Sequence, residues 1–155
     1  MRILKPFAAG LVAVLTFHQG ALAALHALGV TERTAYVLTP TAPLGVPQVL
    51  SAAFWGGVWA VVLWPIATRL AARTGWIMGV GLLAVAPSLI AWFLVAPLKG
   101  QPMTNVLQAT AMTTSLLVNG AWGVGLVLLM KRAMGIAPAA RTAPYRPSSA
   151  RFTSR

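Results

Sequence analysis

The chain has 155 residues, 58% of them hydrophobic and only 8% charged; a soluble domain carries charge on about a quarter of its residues, so the composition argues against a water-soluble fold. Twelve Lys and Arg stand against a single acid, Glu32, giving +11, and because they sit in the gaps between apolar runs and at the ends, phospholipid headgroups rather than nucleic acid are the expected partner. Cysteine is absent, which removes disulfides, thiolate catalysis and Cys-ligated metals.

Four apolar runs follow one another at about 7–29, 49–70, 76–98 and 106–130, none with an internal Asp or Glu and with basic residues only at the margins. Each reaches the roughly 20 residues a helix needs to cross a bilayer. In hydrocarbon every backbone amide must be satisfied internally, and the alternation of a membrane barrel is missing, so the expectation is an all-α, four-helix transmembrane bundle. Residues 1–135 form this domain and 136–155 a tail.

The first run carries the polar string "FHQGALAALH", with His18, Gln19 and His26. "MRILK", the apolar run and "ALA" at 21–23 imitate a secretory signal, but His18 and Gln19 interrupt the run before the site and the apolar character continues to Val30, so a retained helix is expected. His18 falls at the middle of the run, where polar groups are costly and mark a site by default. On a helical wheel all three residues share one broad face, with His26 ~12 Å nearer the end of the helix at 1.5 Å per residue.

The connection "VTERTAYVLTPTAPLGVPQ" holds Pro40, Pro43, Pro47 and Gly45 and reads as a stiff, extended external loop, either a cover for the bundle mouth or a spacer. The second run places Ala52, Gly56 and Ala60 every four residues, beside Ala53 and Gly57, a small-residue stripe that admits a neighbouring backbone. Ala121 and Gly125 repeat the device in the fourth run. Whether these stripes join helices within one chain or between protomers is open. Trp59 lies at the centre of the second run with one indole donor. Trp55 is read with it as core, and Trp64 and Trp76, flanking the second connection, as an aromatic belt.

Ser88 follows Pro87 in the middle of the third run, and Asn119 in the fourth is level with His18 and Gln19, with Thr113, Thr114 and Ser115 as a polar girdle one turn away. Together these side chains predict a mid-membrane polar layer of His18, Gln19, His26, Trp59, Ser88 and Asn119. Interhelical hydrogen bonds that fix register are the ordinary use of such a layer, and a polar path for a solute is the alternative. A faint echo aligns "QVLSAAFWGGVW" with "SLLVNGAWGVGL", matching Trp55 with Trp122 and Gly56 with Gly123, as two duplicated hairpins would.

Ten of the twelve basic residues fall on one side of this arrangement, against Arg33 and Lys99 on the other, so the positive-inside rule places both termini and the second connection in the cytoplasm. After Met134 the chain turns to Pro, Ser, Ala and Arg, a disordered tail whose Arg141, Arg146, Arg151 and Arg155 suit anionic headgroups. No cofactor or metal is expected. Two histidines on one helix cannot clamp a haem between them, and neither has Asp, Glu or Cys beside it for a metal. The serines are isolated, without a base held by an acid.

"FHQGALAALHALG" followed by "PLGVPQVLSAAFWGGVW" resembles a group of small bacterial inner-membrane (hypothetical transmembrane) proteins, over roughly the first 65 residues. The resemblance implies a membrane location and supplies no chemistry. The resulting expectation is a non-enzymatic subunit or accessory protein, packing as a homo-oligomer or in a larger membrane complex through its Gly/Ala stripes. A small transporter or channel is the runner-up, and a haem- or cofactor-binding membrane protein using His18 or His26 stands third.

Overall fold

The computed structural model describes residues 3–134; the tail, with Arg141, Arg146, Arg151 and Arg155, lies outside them. Four helices are long and apolar enough to cross a membrane: α1 Leu4–Ala27, α2 Gln48–Thr74, α3 Trp76–Leu98 and α4 Ala109–Ala133. Consecutive helices run antiparallel and α4 returns to α1, which closes a four-membered ring.

Three boundaries differ from the sequence reading, each for a local reason. Helix α1 starts at Leu4 and ends in a Schellman turn, with the Val30 amide bonded to the Leu25 carbonyl and Gly29 at φ +68°, the left-handed position glycine fills without a Cβ clash. Helix α2 carries Arg69 and Arg73 on its last turns and stops at Gly75, φ +87°, which also opens α3. The expected short connection is therefore a single residue. Between α3 and α4, Pro102 starts a separate helical turn, Met103–Val106, and Gln108 in extended geometry delays α4 to Ala109.

Close approach of α1 to α2 is made possible by glycine. Gly10 lies directly against Gly56 and Ala60, Gly56 against Val14, and Gly57 against Phe7. Gly125 of α4 receives the ring of Phe17, and Gly123 packs on Leu83. The small-residue stripes thus face inward and join helices of one chain. Ala60, Leu83 and Leu126, fully buried, lie in the core so formed.

Outward, the bundle is apolar. Phe54, Trp55, Ile77, Phe93 and Leu128 are all more than half exposed. Trp55, expected in the core, is instead exposed, and Trp64, expected at a belt, is buried and stacks on Trp76 with centroids 5.8 Å apart, while Lys131 lies 4.6 Å from the Trp76 ring. The helix directions bring Lys5, Arg69, Arg73, Lys131 and Arg132 to this end of the bundle.

The echo between α2 and α4 holds in part. Gly56 and Gly123 each seat the preceding helix, but Trp122 is buried at the α1 and α2 contact and donates its indole N–H to the Gly10 carbonyl at 3.0 Å. Trp55, its counterpart, points away from the bundle.

Candidate functional site: a polar cavity beneath the first loop

The first loop does not run extended away from the bundle. Pro40–Thr41 pairs antiparallel with Val46–Pro47 to make a minimal hairpin, and the residues before it fold back along α1. Pro47 precedes α2 without a side-chain cap, so the loop caps the helix with its own carbonyls. Thr39 accepts from the Gln48 amide at 3.1 Å and Val37 from the Val49 amide at 3.0 Å, meeting two of the four orphan donors every helix start presents.

Tyr36 locks the loop to α1. Helix α1 passes through a π turn at Val14–His18, where the Gln19 amide is shared between the Thr16 and Val14 carbonyls, three and five residues back. The four-back partner it forgoes is Leu15, whose carbonyl accepts the Tyr36 hydroxyl at 3.0 Å. The Gln19 side chain, 5% exposed, accepts the Tyr36 amide through Oε1 at 2.8 Å. Tyr36 has φ +55°, a left-handed conformation that costs a bulky residue about 1–2 kcal/mol. Two bonds to one turn of α1 hold it there. A π turn at this spot fits the tendency of such bulges to mark working positions.

His26 fixes the other end of the same stretch. Its Nδ1 lies 3.0 Å from the Thr31 carbonyl; a carbonyl only accepts, so that nitrogen carries the proton. The Thr31 hydroxyl in turn accepts from the Arg33 amide at 3.3 Å. Residues 31–36 are thereby strapped across α1 between His26 and Gln19.

Beneath this strap lies a cavity of about 290 Å³, bounded by His18, Gln19 and Leu22 of α1, Glu32, Arg33, Thr34 and Val37 of the loop, and Gln48, Val49 and Ala52 of α2. His18 and Gln19, singled out in the sequence, both reach it. Glu32, Arg33, Thr34 and Gln48 were missed; the only signal available was that the one acid of the chain adjoins an arginine in the same loop. His18 Nδ1 is buried without a hydrogen-bond partner among the described residues. Desolvation by the surrounding protein draws Arg33 below the ordinary guanidinium value although its outer surface is open. The group keeps its proton, as arginine does in proteins.

The remaining polar residues gather elsewhere. Asn119 donates through Nδ2 to Ser88 Oγ at 2.8 Å, and Ser88, fully buried, donates to the Ala84 carbonyl. This pair ties α3 to α4 and has no bond to His18 or Gln19. Thr114 is buried with its hydroxyl unpartnered among the described residues, Ser115 bonds back to the Ala111 carbonyl, and Thr113 is exposed. Trp59 packs against the core, and His26 is exposed at the loop. The expected single layer is thus two separate polar sets, one under the loop and one between α3 and α4. Ala52 borders the cavity, which leaves Gly56, Gly57 and Ala60 as the part of the α2 stripe that α1 occupies. Ala121 is partly buried next to Trp122.

Among the described residues no three His, Cys, Asp or Glu side chains converge as metal ligands. Chemically the cavity is a donor-rich pocket with one carboxylate at its rim. No protein-family model, no curated protein and no solved structure matches the chain.

Proposed function

We propose that this chain is a multi-pass protein of a bacterial inner membrane, with both termini and the Gly75 corner in the cytoplasm and the first loop outside, acting as a non-enzymatic subunit or accessory protein. The helix count and the exposed apolar girdle support the membrane setting, since a surface of this kind is normally covered by lipid or protein. The orientation rests on Lys5, Arg69, Arg73, Lys131 and Arg132 sharing one end, as cytoplasmic basic residues do.

One observation carries the accessory role: three of the polar side chains between the helices, Gln19, Asn119 and Trp122, are used to hold the chain's own architecture. Gln19 holds Tyr36, Asn119 holds Ser88 and Trp122 holds Gly10. The Gly/Ala stripes are likewise filled from within, so contact with a partner falls to the outer apolar surface around Phe54, Trp55 and Phe93. Extraction in native membrane nanodiscs followed by native mass spectrometry tests the reading. A defined assembly heavier than the 16.3 kDa chain is expected, and a monomer accompanied only by lipid refutes it.

A further inference from the structure

We propose that the cavity beneath the first loop binds a compact zwitterion, an oxyanion linked to a primary ammonium, with Arg33 receiving the oxyanion and Glu32 the ammonium. The chain has one acid, and the fold brings it to the same small cavity as the arginine beside it. Neither side chain forms an ion pair or side-chain hydrogen bond among the described residues; the only bond at this point uses the Arg33 backbone amide. Two opposite charges therefore border one cavity, each without an ion-pair partner among the described residues.

The rest of the lining favours the same ligand. Gln19 has committed Oε1 to Tyr36, which leaves its amide nitrogen as the free end, and Gln48 and Thr34 add further donors to the lining. The first two amides of α2 are taken by the Thr39 and Val37 carbonyls, so the side chains, with Arg33 foremost, supply the donors for the oxyanion. Glu32 opposes a lone anion and Arg33 a lone cation, while a hydrocarbon ligand would cover both charges without pairing them. A zwitterion alone meets both. The strap from His26 to Gln19 holds Glu32 and Arg33 before the ligand arrives, which lowers the entropic cost of binding. At about 290 Å³ the space lies at the lower end of small-molecule pockets, roughly 300–1,000 Å³, enough for a headgroup-sized ligand. The same chemistry can arrive as a free solute or as a phospholipid headgroup.

The full-length protein distinguishes these sources. Calorimetry in detergent with phosphoethanolamine reads the free solute, and native mass spectrometry from nanodiscs containing phosphatidylethanolamine and phosphatidylglycerol reads the lipid. Binding of either zwitterionic probe, weakened about tenfold or more by Glu32→Gln and by Arg33→Gln, is the result expected. Inorganic phosphate and ethanolamine alone should each bind the wild type at least about tenfold more weakly than phosphoethanolamine if the solute is the source. Retention of phosphatidylethanolamine over phosphatidylglycerol, lost in both variants, supports the headgroup. The proposal is overturned if phosphate alone binds as well as the zwitterion, if the two variants bind like the wild type, or if neither zwitterionic probe binds to protein of unchanged helicity and elution. Glu32 and Arg33 are exposed on a loop, so their substitution leaves the bundle's packing intact and the comparison interpretable.

Discussion

Replacing Gly10 with alanine strikes the point where α1 meets α2. A Cβ there would collide with Ala60 Cβ and the Gly56 carbonyl oxygen and would lie 3.1 Å from the Gly56 carbonyl carbon. Two of these three atoms are backbone, so no rotamer change relieves the clash and the helices must separate. Overpacking of this kind costs about 1–3 kcal/mol. The displaced Gly10 carbonyl also loses geometry with the Trp122 indole, worth about 0.6 kcal/mol for an average intramembrane bond. Alanine returns at most about 1 kcal/mol through helix propensity. The net expectation is a loss of roughly 1–3 kcal/mol for Gly10→Ala. Gly20→Ala is the internal control, because a Cβ at Gly20 meets nothing within 4 Å and only the propensity gain remains. Unfolding by SDS titration from mild-detergent micelles, followed by tryptophan fluorescence, reads both variants. Equal stability of the two would refute the claim that α1 is seated on α2 through Gly10.

Other consequences are as direct. Gln19→Leu removes the acceptor of the Tyr36 amide and should cost about 1 kcal/mol, seen as faster amide exchange confined to residues 31–39; unchanged exchange would mean the strap is held otherwise. Tyr36→Phe frees the Leu15 carbonyl and should loosen the same segment without altering overall helicity by circular dichroism. Between α3 and α4, Ser88→Ala leaves the Asn119 amide without its partner and should destabilise by about 1–3 kcal/mol. Asn119→Leu should cost less, since Ser88 keeps its bond to Ala84, and the reverse order in SDS titration would contradict the assignment of donor and acceptor.

The spans could be read in advance because crossing a membrane is a local property of length and apolarity. The third run, read at about 76–98, matches Trp76–Leu98, while the ends that differ at Thr74 and Ala109 depend on Gly75, a basic last turn and Gln108, which hydropathy does not weigh. Which polar residues mattered was also legible at Gln19, Ser88 and Asn119. Their partners were not. Gln19 bonds a backbone amide presented by a left-handed Tyr36, and nothing in a tyrosine announces positive φ. The π turn at Val14–His18 shifts the phase of α1, so a wheel drawn at a constant 100° per residue misjudges which side chains share a face beyond it. His26 serves the loop and not a membrane layer because it stands in the last turn of α1, exposed beside Thr31. Trp55 and Trp122 occupy matched places in the sequence echo, yet one meets a helix crossing and the other does not; that difference lies in tertiary packing. Glu32 and Arg33 entered the site only because the loop folds back.

In the proposed topology four helices cross a bilayer and put the first loop and the Gly75 corner on opposite sides. A chain without cysteine allows single thiols to report this directly. Leu44→Cys, at a loop position 83% exposed, and Ala72→Cys, at the exposed end of α2, are treated in whole cells with a maleimide that cannot cross the inner membrane. Labelling of position 44 in intact cells, and of position 72 only after the inner membrane is permeabilised, is the outcome predicted. Equal labelling of both positions before permeabilisation would contradict it.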